Sequence, residues 1–202
     1  MRVVKSISLV VLLLVAACQQ ASAAVKVGEP APLFTATDSF GKQVSLADFK
    51  GKYVVLEWTN NGCPFVQKHY RTHNMQDQQK EATGKGAVWL TIISSAPGKE
   101  GHVSGAEANK LTKDRGASPT AVLLDEKGEV GHLYGAKTTP HMFVVDPGGK
   151  LIYAGGIDSI ASADDEDLPK ATQYVRVALD EAMAGKPVSQ PVTANYGCSV
   201  KY

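Results

Sequence analysis

Residues 58–66 read WTNNGCPFV, and they mark the point where an apolar, strand-like run ends and a helical pattern begins. The run before them, residues 53–58, is rich in β-branched and aromatic side chains and predicts a buried strand. Residues 60–62 favour a turn, and Pro64 suits the first position of a helix, where its missing N–H costs no hydrogen bond. Cys63 would then meet free N–H groups and the positive end of the helix dipole, which stabilise a thiolate. The stretch therefore predicts a nucleophilic cysteine at the start of a helix.

The composition is that of one globular domain, because 44% of the 202 residues are hydrophobic and 20% are charged. A chain of this length buries a full core without disulfide bonds, so its three cysteines are better explained by chemistry than by scaffolding. The formal net charge of +1 becomes −1 when processing removes the two positive charges of Arg2 and Lys5. This balance gives no electrostatic reason to expect nucleic-acid binding.

Residues 1–23 are typical of an export signal, with a basic start, an apolar centre and the small residues Ala21-Ser22-Ala23 before a cleavage point at Ala24. The apolar centre is too short to span a bilayer. Alternatively, residues 15–18 (VAAC) resemble a bacterial lipobox, in which Cys18 would be lipidated and would become the first mature residue. Both interpretations predict a periplasmic or otherwise exported domain, in a compartment where disulfides persist. A lipid on Cys18 is its only expected link to a membrane.

The pattern of elements predicts an α/β sandwich with a central mixed sheet flanked by helices. Besides residues 53–58, strands are expected at residues 34–38, 87–93, 120–124, 141–145 and 151–154. Helices are expected over residues 64–83, over residues 105–115 behind a capping box at Ser104, and over residues 168–184. The domain is expected to cover residues 24–185, and residues 186–202 form an irregular tail that carries Cys198.

With these elements in order, residues 27–184 resemble the thioredoxin-like superfamily, in its redoxin branch of alkyl hydroperoxide reductase and thiol-specific antioxidant type. The resemblance is carried by the segments VGEPAPLF (27–34), VSLADFKGK (44–52) and TTPHMFVVD (138–146). It implies that the Thr139–Pro140 bond is cis and lies beside Cys63, where the backbone receives a substrate or a partner chain. Without this context, an X-Pro bond has only a few per cent chance of being cis.

The sequence departs from the family pattern close to Cys63. Position 66, where thioredoxins carry a second cysteine, is a valine, and the places of the usual peroxiredoxin proline and threonine or serine hold Leu56 and Asn60. The resemblance thus implies a peroxiredoxin-like subgroup with a redoxin body and a single, thioredoxin-placed cysteine. It implies a thiol oxidoreductase of antioxidant type without a cofactor. The position of the cysteine favours thiol-disulfide exchange with a protein thiol reductant or a disulfide substrate. The similarity of the rest of the domain to redoxins favours the reduction of a peroxide.

Cys198 is the candidate for a second thiol. A thiolate that has attacked a disulfide or has become a sulfenic acid is resolved by another thiol. The tail has the length and the glycine to return Cys198 to the domain. Three arrangements stay open, namely a functional pair with Cys63, a fixed structural disulfide, and a tail cysteine without a partner.

Three histidines and one glutamate are secondary candidates. His69 and His73 would share a face of the predicted helix, so with Cys63 or His141 they would bind copper or another soft metal. A non-enzymatic metal-binding module is therefore the alternative function, and a solvated polar helix face is the simpler interpretation of the two histidines. His141 and Glu57 are candidates for tuning Cys63, Glu57 through a raised pKa that would let it relay protons. Their simpler interpretations are a rim side chain and a strand residue facing water.

Overall fold

The computed structural model describes residues 25–202. The predicted export signal of residues 1–23 and the predicted lipidation of Cys18 lie outside the described residues. Between residues 25 and 202, no helix is both long enough and apolar enough to cross a membrane.

A mixed sheet of seven strands forms the centre of the described part of the chain. Its strands are β1 (Thr35–Asp38), β2 (Gln43–Ser45), β3 (Val54–Trp58), β4 (Val88–Ile93), β5 (Ala121–Leu124), β7 (His141–Val145) and β8 (Leu151–Gly155), and a separate two-stranded sheet joins β6 (Thr138–Thr139) to β9 (Cys198–Ser199). The order across the large sheet is β2-β1-β5-β4-β3-β7-β8. β3 and β4 run parallel, as do β4 and β5, whereas β7 is antiparallel to β3. The prediction of a mixed sheet is confirmed.

Helices pack on both faces of the sheet. They are α1 (Pro64–Arg71), α2 (Asn74–Gly84), α3 (Gly105–Asp114), α4 (Glu129–Tyr134) and α5 (Tyr174–Met183), with 3-10 helices at Leu46–Phe49 and Asp165–Lys170. The side chains of β3 alternate between the faces, as the period of two in a strand requires. Leu56 and Trp58 pack with Tyr134 of α4, whereas Val55 packs with apolar side chains of α1, α2 and α5. β3, β4 and β7 are buried along their whole length, which explains their near-continuous apolar sequences.

Two helix predictions are wrong in their bounds. The helix predicted over residues 64–83 is two helices, because the Thr72 hydroxyl bonds back to the Lys68 carbonyl (2.7 Å) and His73 adopts a left-handed conformation with φ of 61°. The helix predicted from Leu168 begins only at Tyr174. Residues 165–170 form a 3-10 helix that contains Pro169, and Pro169 cannot supply the N–H that a longer α-helix needs.

Candidate active site

Cys63 lies at the N-cap of α1, directly ahead of Pro64. The turn before it is held by Asn60, whose side-chain oxygen accepts the Gly62 N–H (2.8 Å) and whose carbonyl accepts the Cys63 N–H (3.1 Å). The predicted position of Cys63 at the start of a helix is thus confirmed. Its side chain is 0% exposed, so the sulfur contacts only protein atoms.

The Thr139–Pro140 bond is cis and lies against Cys63. β3 leads into the Cys63 turn and β7 begins just after Pro140, and these two strands pair so that Trp58 is opposite His141. This pairing brings the two segments together at one end of the sheet, where β3 ends and β7 begins. The Cys63 thiol donates a hydrogen bond to the Thr139 carbonyl oxygen, with a sulfur–oxygen distance of 3.0 Å.

The tail returns Cys198 to Cys63. β9 pairs antiparallel with β6 in a register that sets Cys198 opposite Thr139. Both cysteines are free thiols, and Cys198 packs against the apolar cluster in which Cys63 is buried, close enough for each thiol to change the acidity of the other. The sequence left this approach open, because a tail of irregular sequence does not reveal where it docks.

The two thiols differ in acidity. Burial raises the pKa of Cys63, but polar interactions with the side chains of Cys198 and Thr139 and with the backbone at Val66 and Cys198 outweigh burial and lower the pKa overall. Burial raises the pKa of Cys198 to about 11, and the neighbouring Cys63 sulfur adds to the rise. Cys63 is therefore the more acidic thiol of the pair, and Cys198 is the less acidic one.

Residues 191–202, named here the C-terminal strap, are attached along their length to the rest of the domain. Hydrogen bonds join the strap to six residues of the domain, namely Ala154, Tyr153, Thr138, Lys137, Ala96 and Ala136. Between Tyr196 and Cys198, Gly197 has a φ of +120°, and a Cβ at this position would overlap the Thr139 carbonyl oxygen. Only glycine lets the strap approach the cis-proline segment this closely.

Glu57 is fully buried, so the interpretation that it faces water is wrong. Its carboxylate accepts hydrogen bonds from four side chains on α1, α2 and β4, namely Tyr70, Gln79, Trp89 and Thr91. None of the hydrogen bonds to Glu57 within residues 25–202 comes from Cys63. Glu57 ties the Cys63 helix to the sheet through Tyr70, which is a structural connection to the site.

His141 is buried beneath the site rather than placed on its rim. Its Nδ1 atom accepts the Lys137 N–H (3.3 Å), and its ring lies 4.4 Å from the ring of Phe143. Burial lowers the pKa of His141 to about 4, and the charge of Lys137 adds to the effect. The imidazole is therefore neutral at pH 7 and brings no positive charge to the Cys63 thiolate.

His69 and His73 do not share a helix face, because α1 ends between them. His69 is buried and bonds to Asn74 and Tyr196, while His73 is exposed in the break between the helices. The interpretation of the two histidines as part of a solvated polar face is right for His73 and wrong for His69, since His69 and its neighbours Lys68 and Asn74 are buried. Within residues 25–202, no group of three or more His, Cys, Asp or Glu side chains is arranged to hold a metal ion.

Sequence comparison identifies related proteins. The sequence model of the AhpC/TSA family matches residues 27–154. Thiol-disulfide oxidoreductase ResA of Bacillus thuringiensis is 27% identical over 128 residues, which span 63% of this chain and 68% of that protein. The Mycobacterium tuberculosis protein named "Putative peroxiredoxin Rv2521" is 30% identical over 138 residues, which span 63% of this chain and 82% of that protein.

Solved structures agree with the sequence comparison. A crystal structure of an uncharacterized conserved protein from Geobacillus kaustophilus is 29% identical, with a TM-score of 0.77 over 88% of this chain and 92% of that chain. The thioredoxin domain of a thiol-disulfide oxidoreductase from Bacteroides vulgatus shares the fold with a TM-score of 0.51. The predicted thioredoxin-like fold is confirmed.

Proposed function

The chain belongs to the AhpC/TSA family, and from this premise we propose that it is a thiol oxidoreductase with Cys63 as its nucleophile and Cys198 as its resolving thiol. One observation carries the proposal, namely the placement of Cys198 opposite Thr139, whose carbonyl oxygen lies 3.0 Å from the Cys63 sulfur at the head of α1. Attack on a disulfide requires a thiolate, and resolution requires a second sulfur within reach. Two cysteines in this arrangement perform such chemistry without a cofactor.

Disulfide exchange would proceed in two balanced steps. The Cys63 thiolate attacks one sulfur of a substrate disulfide, forms a mixed disulfide and releases the other substrate sulfur as a thiolate. Cys198 gives up its proton to that thiolate and attacks the Cys63 sulfur, which forms the Cys63–Cys198 disulfide and releases the second substrate thiolate. The substrate gains two electrons and the cysteine pair loses two, and a protein thiol reductant reverses the oxidation.

The acidity of the pair suits this order of steps. Before the first step, the Cys63 sulfur is one of the causes that keep the pKa of Cys198 high, and so Cys198 remains a thiol. Once Cys63 is bound in a mixed disulfide its negative charge is gone, and this cause disappears. Cys198 then loses its proton more readily and becomes the attacking thiolate.

The edge formed by Thr139 and Pro140 is the proposed binding edge for the partner chain. In the described structure, an extended segment with a cysteine opposite Thr139 already lies on β6, and that segment is the C-terminal strap. A partner chain that approaches Cys63 would use the same backbone groups after the strap has moved, because addition of a strand to an exposed edge needs only main-chain hydrogen bonds.

Peroxide reduction is the second candidate function, and the AhpC/TSA membership and the likeness to Rv2521 favour it. The Cys63 thiolate would attack the peroxide oxygen, which forms a sulfenic acid and, after protonation, releases an alcohol or water. Cys198 would condense with the sulfenic acid, giving the same disulfide and one water. Disulfide exchange ranks first because Cys63 has the thioredoxin placement and because ResA is named for exchange.

The two candidates are separated by oxidising the reduced protein at pH 7 with oxidised glutathione or with an equal concentration of hydrogen peroxide. We expect both thiols of each molecule to disappear together, and faster with the disulfide. The rate should rise with pH around a midpoint lower than that of an ordinary cysteine thiol, since polar interactions lower the pKa of Cys63 despite its burial. Faster loss with peroxide would favour the second candidate, and loss with neither reagent would overturn both.

Export is proposed from residues 1–23, as a soluble periplasmic protein or as a lipoprotein anchored through Cys18. The basic start, the apolar centre and the small residues before Ala24 support the first form, and the sequence VAAC at residues 15–18 supports the second. Determination of the mature N-terminus distinguishes them, because cleavage falls before Ala24 in the first form and before a lipidated Cys18 in the second.

A further inference from the structure

A cluster of charged and polar side chains is buried beside the thiol pair and has no part in the steps above. Lys68 Nζ lies 3.7 Å from Asp158 Oδ2, and both side chains are 0% exposed. His69 follows Lys68 on α1, and Tyr196 of the C-terminal strap reaches into the cluster from outside. Buried charges are expensive unless they are paired, and within residues 25–202 neither Lys68 Nζ nor Asp158 Oδ2 has a hydrogen-bond partner, so the two charges depend on their ion pair.

The hydrogen bonds of the cluster run in one defined direction. The side-chain amide of Asn74 can only donate to His69 Nδ1 (2.8 Å), so neutral His69 carries its proton on Nε2. That proton points to the Tyr196 hydroxyl oxygen (3.2 Å), and the hydroxyl donates its own proton to Asp158 Oδ1 (2.5 Å). Burial lowers the pKa of His69 to about 3, in agreement with the neutral ring. The Tyr196 hydroxyl is thus used both as an acceptor and as a donor.

The partners of Tyr196 are held without help from the strap. Asp158 Oδ1 also accepts the Ile160 N–H (3.1 Å) of its own loop, and His69 belongs to α1. The Tyr196 ring meets the ring of Phe65 edge-on at 5.8 Å, and Phe65 is likewise part of α1. These residues therefore form a socket for Tyr196. The socket lies between α1, the helix that begins directly after Cys63, and the loop that contains Asp158.

The distance in sequence from this socket to the thiol pair is short. Cys198 lies two residues after Tyr196, and Gly197 between them passes against the Thr139 carbonyl. Cys63 and the socket residue Lys68 belong to one helical segment, so a strap fixed at Tyr196 has its Cys198 sulfur fixed relative to the Cys63 sulfur. Restricting the freedom of a reacting group in this way raises its effective concentration.

We propose that Tyr196 is a positioning residue, whose hydroxyl locks the C-terminal strap into the Lys68–His69–Asp158 socket and so holds Cys198 ready to react with Cys63. The proposal rests on the proposed function, since it concerns the formation of the Cys63–Cys198 disulfide. Loss of the hydroxyl removes two hydrogen bonds but keeps the ring, so the strap should detach more often while the domain stays folded.

The test is Tyr196→Phe, with Tyr53→Phe as the matched control. Tyr53 also donates one hydroxyl hydrogen bond, but to the Ala182 carbonyl (2.8 Å) of α5 rather than to Asp158. Two quantities are measured for each protein, namely the equilibrium constant for disulfide formation against glutathione and the rate of Cys63 alkylation by iodoacetamide, located by peptide mapping. For Tyr196→Phe we expect the equilibrium constant to fall about tenfold, or about 30 mV for two electrons, and alkylation to accelerate about tenfold.

The outcomes separate this proposal from the proposed function. Unchanged values in Tyr196→Phe, or equal changes in Tyr196→Phe and Tyr53→Phe, would overturn the positioning role while leaving the thiol pair intact. Failure of the wild-type protein to form the Cys63–Cys198 disulfide would overturn the thiol pair, and with it the role of Tyr196.

Discussion

Replacement of Cys63 by serine is expected to lower the rate of disulfide exchange on the order of a thousandfold or more, because a serine hydroxyl does not ionise near neutral pH and is a poor nucleophile toward sulfur. The measurement is the rate at which the reduced protein consumes oxidised glutathione. The change should leave the fold intact, because serine replaces the Cys63 thiol almost isosterically and can donate the same hydrogen bond to the Thr139 carbonyl.

Cys198→Ser is the matched control for this result. It removes the second thiol but leaves the Cys63 thiolate, so the protein should react once with oxidised glutathione and stop as a mixed disulfide at Cys63. Mass spectrometry detects this product as one bound glutathione per molecule. A Cys63→Ser protein that consumed oxidised glutathione as fast as the wild type, or a Cys198→Ser protein that released two glutathione molecules per chain instead of keeping one bound, would refute the assigned roles.

Replacement of Gly197 by alanine is expected to accelerate alkylation of Cys63 by about a hundredfold. A Cβ at this position would overlap the Thr139 carbonyl oxygen and would require an unfavourable backbone φ of +120°, so β9 should leave β6. Tyr196 and Cys198 pack against the cluster in which Cys63 is buried, so departure of the strap should open a path to the sulfur. The measurement is the rate constant for iodoacetamide at Cys63 in the reduced protein.

Gly149→Ala is the control for backbone strain. Gly149 also has a positive φ, of +85°, but a Cβ there meets no atom within 4 Å, and the residue lies in the turn between β7 and β8. The Gly149→Ala substitution should lower the stability of the folded protein somewhat and leave the rate of Cys63 alkylation unchanged. If Gly197→Ala left Cys63 as protected as in the wild type, the strap would not be what shields the sulfur.

Local sequence signals predicted the parts of the fold that depend on local chemistry. Pro64 and the turn at residues 60–62 placed Cys63 at a helix start, and the capping box of Ser104 placed α3, where both capping hydrogen bonds are present. The strands β1, β3, β4, β5, β7 and β8 were predicted within one residue, since most of them have nearly continuous apolar sequences, whereas β2, β6, β9 and the helix α4 were not predicted. The cis bond at Pro140 came from family resemblance alone.

The remainder depends on contacts between distant parts of the chain. The local sequence predicts that Lys68 and His69 belong to a solvated helix face. Their partners Asp158 and Tyr196 lie about 90 and 127 residues further along the chain, and no periodic pattern there indicates these contacts. Glu57 likewise has donors on three other elements. The break at His73 has no proline or glycine to mark it, so nothing in the local sequence ended the helix there.

Formation of a reversible redox pair by Cys63 and Cys198 within one molecule is the central proposal for this protein. It is tested most directly by treating the reduced protein with oxidised glutathione, blocking free thiols with iodoacetamide, and mapping the peptides without reduction. We predict a linkage between the Cys63 and Cys198 peptides that a dithiol reductant converts back to two free thiols. Two free thiols after oxidation, or a linkage that resists the reductant in the folded protein, would contradict the claim.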